Sequence, residues 1–175
     1  MKKLIEKVFK NKSFVSFYDD VSDSEKHYTG MINAFDETVV LISHANARGE
    51  YDGYILKRID DIFRIDFDGK YENKIKNLYN IKKQNHKLRI DNSDEIVNHI
   101  LQYAIDNRLI VRFEIDNNII IGFIKSIFDN IIKVKQLDDY GDVLCNTIIN
   151  IDEVDTISVD TDYEQDIKTL YYYKE

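Results

Sequence analysis

The apolar positions of this chain run through one succession of patterns twice. Leu4, Ile5, Val8 and Phe9 fall at i, i+1, i+4 and i+5, which is one face of a short helix. Ile96, Val97, Ile100 and Leu101 repeat that face 92 residues later, and Ser93 is placed to cap the second helix. Runs rich in β-branched and aromatic residues follow, at 11–17 and at 107–113, and read as first strands. Second strands are expected at 30–36 and 122–129, third strands at 39–42 and 131–135, and fourth strands at 54–58 and 146–150. Fifth strands at 63–67 and 155–159 come after short acidic turns, and each series closes with a helix.

The repeat is clearest at residues 59–79, which align without a gap on 151–171 with 10 of 21 positions identical. Thr161 and Glu164 form a capping box for the last helix, with Gly69 and Glu72 as their counterparts. Gly30 and Gly122 sit inside second strands, where glycine marks a bend or a bulge. The Asp116-Asn117-Asn118 turn is a tight hairpin, whereas its counterpart at 19–27 is a longer polar connection. The expected fold class is mainly β with flanking helices (α+β). It is an internal duplication of a helix, a five-stranded SH3-like barrel and a helix, divided into units 1–86 and 87–175 and joined by a linker at about 80–92. Barrel closure is expected because it removes exposed strand edges.

Composition narrows the function. No apolar run approaches the ~20 residues of a membrane span. The first twelve residues mix lysines into their apolar stretch, the pattern of an amphipathic helix and not of a signal peptide. The single cysteine, Cys145, excludes an internal disulfide framework and is expected at a core or half-buried strand position. These features point to a cytoplasmic, bacterial protein. The formal net charge of −8 is unevenly spread: residues 1–88 carry +2 and residues 89–175 carry −10. The second half is therefore a poor surface for phosphate backbones.

No residue set makes a convincing active site. Asp60-Asp61 and Asp152-Glu153 are paired carboxylates, but a turn between strands calls for such residues to bond their own backbone. The acidic runs at 138–142 and 160–164 lack the glycine and terminal glutamate of a calcium loop. His27, His44, His86 and His99 have no ligand spacing, and the six glycines occur singly. The chain is expected not to be an enzyme and to need no cofactor or metal. The candidate nucleic-acid residues are Arg48, Tyr51, Tyr54, Lys57 and Arg58, where cations lie close to rings that can stack bases. A solvated lysine-rich face, with acidic residues interleaved, is the plainer account of that stretch. The tyrosines at 171–173 read as the packed end of the last helix.

The run from Gly30 to Phe35-Asp36 resembles the first motif of the Sm-like (LSm) family, and Ile55 to Ile65, with Arg58 at its centre, is similar in spacing to the second. The resemblance covers most of the first unit and part of the second. It implies small SH3-like barrels, RNA binding and assembly of several barrels. The position of the family's base-reading Asn falls near Val40 and Ile132, its glycine is Ile59 and Ile151, and its arginine is Asn150 in the second copy. The expectation is therefore a non-enzymatic binding or scaffold protein that engages a protein partner or a second copy of itself. The alternative is an RNA-binding regulator using the first unit.

Overall fold

The computed structural model describes residues 1–175 except 24, 87, 91–94, 117 and 175. The chain divides into two compact units, Met1–Ile96 and Val97–Glu175. The first holds α1 (Lys2–Lys10), β1 (Phe14–Tyr18), β2 (Tyr28–Phe35), β3 (Val39–Ala45), β4 (Tyr51–Arg58), β5 (Arg64–Phe67) and α2 (Lys70–Ile81). The second holds α3 (Ile96–Asp106, from its second residue on), β6 (Ile110–Ile115), β7 (Asn118–Phe128), β8 (Ile131–Leu137), β9 (Val143–Asn150), β10 (Thr156–Val159) and α4 (Asp162–Tyr173). A single 3-10 turn, at Ile59–Asp61 and at Ile151–Glu153, joins the last two strands of each unit. The Ser93 cap and the Asn117 turn position lie outside the described residues.

The closed barrels expected from the sequence are not formed. The ten strands are antiparallel and belong to open sheet, five to a unit, in the order β5-β1-β2-β3-β4 in the first and β10-β6-β7-β8-β9 in the second. Closure would require the first unit's β4 and β5 to pair. Among the described residues β5 pairs with β1 alone, from Val15 opposite Phe67 to Tyr18 opposite Arg64.

Side-chain alternation divides each sheet into two faces. In the first unit Val15, Phe17, Val40 and Ile42 point to one side and pack with Ile5 and Val8 of α1. Phe14 and Ala45 point to the other and pack with Ile75 and Tyr79 of α2. In the second unit Ile110, Ile121 and Leu137 pack with Ile167 of α4. Each fully buried aliphatic side chain contributes about 1.5–3 kcal/mol. The strand glycines serve close approach: a Cβ at Gly30 would collide with the Ser43 carbonyl, and one at Gly122 with the Lys135 carbonyl. The bulge itself lies three residues further on, between Ile32 and Ala34 and between Ile124 and Ser126.

The segment after α2, read from sequence as a linker, packs on its own unit. Gln84 accepts from the Tyr51 amide at 3.0 Å, and the Leu88 amide donates to the Tyr54 hydroxyl at 2.7 Å.

Candidate functional site

The five residues named for nucleic acid lie on or just before β4, but they do not share one exposed surface. Tyr54 is fully buried and holds Leu88. Lys57 is 2% exposed, pairs with Asp19 and lies 4.9 Å from the centre of the Tyr28 ring. Tyr51 is half-buried and edge-on to Tyr54. Arg58 is half-buried, and Arg48 is exposed and paired with Glu50 at 2.8 Å.

The acidic loop at 138–142 and the turn at 151–153 are bonded to their own backbones. Asp138 accepts from the amides of Tyr140 and Asp142, and Asn150 accepts from that of Asp152. Among the described residues no three His, Cys, Asp or Glu side chains gather as a metal site would need. His44 meets Asp52, Nδ1 to Oδ2, at 3.2 Å. A second polar corner surrounds Tyr18. The Arg64 guanidinium lies 4.3 Å from the ring centre, and its hydrogen bond to Asp66 holds that carboxyl below the usual range. Burial, then the Asp66 charge, raises the Tyr18 phenol.

One buried carboxylate recurs in each unit. Glu72 on α2 accepts from the Ser16 hydroxyl at 2.6 Å, and Ser16 is in turn 2.9 Å from the Thr29 hydroxyl. Glu164 on α4 accepts from the Thr161 amide at 2.9 Å, closing the capping box, and lies 3.4 Å from Arg112 Nε. A carboxylate this deep needs hydrogen bonds or a cation, and the two units supply different ones. Both are committed to the framework.

The place with capacity to spare is β9. This strand lies at the end of the sheet order and pairs with β8, from Ile131 opposite Asn150 to Leu137 opposite Val143. Its eight residues, VLCNTIIN, carry no charge and no proline. Val143, Leu144 and Ile148 are 52%, 57% and 68% exposed, and Cys145 is exposed too, not the core or half-buried residue expected. On one face the edge continues into exposed apolar side chains that flank Lys133, which stands directly opposite Ile148. Ile148 is diagonal to Ile131, which is opposite Phe128, and both of those are exposed. The counterpart strand β4 is buried from Gly53 to Lys57. Sequence reasoning missed the site because it began this strand at 146 and left Val143 and Leu144 in a loop. The usable signal was an uncharged run in the most acidic part of the chain.

No family model, curated protein or solved structure matches the chain. Among the described residues no helix is long and apolar enough to cross a membrane.

Proposed function

We propose that the protein is a non-enzymatic binding protein whose second unit takes up an extended segment of a protein partner along β9. The observation that carries this reading is the exposed, uncharged edge strand. Soluble proteins ordinarily blunt such edges with lysine, proline or a bulge, because the free amides and carbonyls accept a further strand; β9 has neither lysine nor proline, and its one register shift falls at Leu144, near its start, leaving Cys145 to Asn150 in regular pairing. An added strand gains affinity from main-chain hydrogen bonds and specificity from alternate side chains. Here Ile148, in the regular part of the ladder, would hold an apolar side chain of the incoming segment, and Leu144 would flank it at the irregular end. Asp142 precedes the strand, Asp152 and Glu153 follow it, and residues 89–175 carry −10. The fitting partner is therefore a β-forming segment with basic flanks.

The test is a titration of the whole protein with a synthetic peptide of alternating valine and threonine flanked by lysines. Amide exchange is followed residue by residue. Slowed exchange at β9 amides, reversed by Ile148→Lys, is expected. Unchanged exchange in β9 at saturating peptide overturns the reading. Concentration-dependent protection without peptide would instead identify a second copy as the occupant. For the RNA alternative, labelled single-stranded RNA replaces the peptide; binding that weakens with salt and is lost in an Arg48→Ala, Arg58→Ala double variant would carry it.

A further inference from the structure

The second unit has an open pocket of about 340 Å³ between the end of α3, β7, β8 and the last turns of α4. Leu109, Phe123 and Tyr171 form an apolar wall, and Arg108, Lys125 and Lys135 form a cationic one. Phe123 and Tyr171 stand edge to face with centres 5.1 Å apart, and Lys135 Nζ donates to the Tyr171 hydroxyl at 2.5 Å. Among the described residues the Arg108 and Lys125 side chains make no ion pair or hydrogen bond. Three of the eight basic residues in 89–175 thus converge on one cavity, in a half whose net charge is −10.

The first unit shows what the same frame holds when it is filled. Phe123 faces Lys135 across β7 and β8 as Met31 faces Ser43 across β2 and β3, and Lys125 occupies the bulge position that Asn33 occupies there. Asn33 Nδ2 donates to the Ser43 hydroxyl and to the Leu88 carbonyl oxygen, both at 3.1 Å, and Leu88 is 8% exposed. An apolar side chain with an adjoining acceptor oxygen is thus seated by one neutral donor, Asn33, whose amide group is also accepted by Ser43. In the second unit the equivalent positions hold two lysines, and the wall they belong to lines open space.

We propose that this cavity binds a small carboxylate with an apolar body. The acid head is held by Lys125, Lys135 and Arg108, and the body lies against Phe123, Leu109 and Tyr171. The volume is at the lower end for small-molecule sites, which combine a mostly apolar lining with a few placed polar groups. A charged head beside cations that have no counter-ion among the described residues gains a charge-assisted hydrogen bond, roughly twice as strong as a neutral one. The site is separate from the β9 edge, and its test does not depend on that reading.

The experiment titrates the whole, isotope-labelled protein with octanoate, and in parallel with octanol and octylamine, following backbone amide resonances. Saturable octanoate shifts at Leu109, Phe123, Lys125 and Tyr171 are expected, with octanol at least about tenfold weaker and octylamine absent from the site. Replacing Lys125→Asn and Lys135→Ser, the first unit's own residues, should weaken octanoate by more than about tenfold and leave octanol unchanged. The rest of the spectrum reports that this variant is folded. If it is not, Arg108→Gln in the exposed turn after α3 provides the same comparison with a smaller loss. No saturable shift, shifts centred elsewhere, or equal binding of octanoate and octanol would overturn the proposal.

Discussion

Asn33, Ser43 and Tyr79 in the first unit and Lys125, Lys135 and Tyr171 in the second stand at equivalent points of the two sheets and their closing helices. In the first set Asn33 is capped by the chain itself, through Leu88, which Tyr54 also holds. The second lines a cavity. The polar chemistry follows that difference. Where the chain fills the place, the polar side chains are neutral and short, because a lysine there would have to be buried without a counter-charge. Where it is open, lysines are tolerated because water reaches them. The two tyrosines divide the same way: Tyr171 receives a hydrogen bond from Lys135, whereas the Tyr79 hydroxyl, among the described residues, has no hydrogen-bond partner. A repeated backbone frame thus fixes where polar groups stand, and occupancy fixes which ones are sustainable.

The largest expected effect extends the comparison to the buried carboxylates. Arg112→Ala strips the cation from Glu164, which is 1% exposed, and should cost about 3 kcal/mol, the low end for breaking a buried pair because Arg112 keeps some solvent contact. Ser16→Ala removes a neutral donor from Glu72 and should cost about 1–2 kcal/mol. Urea unfolding of both variants measures the two. Equal losses would mean that the units do not solve the buried carboxylate differently.

Next comes Leu88. Leu88→Ala keeps the backbone bonds to Asn33 and Tyr54 but removes the buried side chain, for an expected loss of about 2–3 kcal/mol. If Leu88 is the filling group, the variant should also gain weak binding of small apolar molecules near Asn33, read from amide shifts. A loss below about 0.5 kcal/mol, the scale of an ordinary surface substitution, would show that the segment does not seal the place.

Much of this frame is legible in the sequence, for physical reasons. The periodicities that bury Ile5 and Val8, or Ile75 and Tyr79, are local, and so is the Thr161–Glu164 capping box. Closure of the sheet is not local. Five short strands with a tight turn before the last describe an open sheet as well as a barrel, and the choice rests on whether β4 and β5 meet. The candidate sites were hidden for a related reason. Tyr54 and Lys57 look like a stacking surface until burial is known. Lys125 and Lys135 look like ordinary strand lysines until the bulge and the pairing place them together at one cavity.

The smallest effect is the sharpest test of the comparison, because it predicts opposite signs. Tyr79 is 6% exposed, and burial pushes its phenol up to about 12. Tyr79→Phe removes a hydroxyl that the interior does not bond, so it should be neutral or stabilising by up to about 1 kcal/mol at neutral pH. Tyr171→Phe removes the acceptor of Lys135 and should destabilise by about 0.5–1.5 kcal/mol. The pH dependence gives an independent check. The raised phenol means that the folded chain holds this proton longer than the unfolded one. Its contribution is fully present below the unfolded value of about 10 and is lost as pH rises through the folded value. Between about pH 10 and 12 the native protein should lose up to about 1.4 kcal/mol per pH unit through this group. Tyr79→Phe should lack that component while retaining the slopes of the other tyrosines. Urea midpoints at neutral pH and near pH 11 measure both predictions. Destabilisation of the same size in the two phenylalanine variants, with no change in alkaline slope, would mean that the Tyr79 hydroxyl is bonded after all and that the two places are chemically alike.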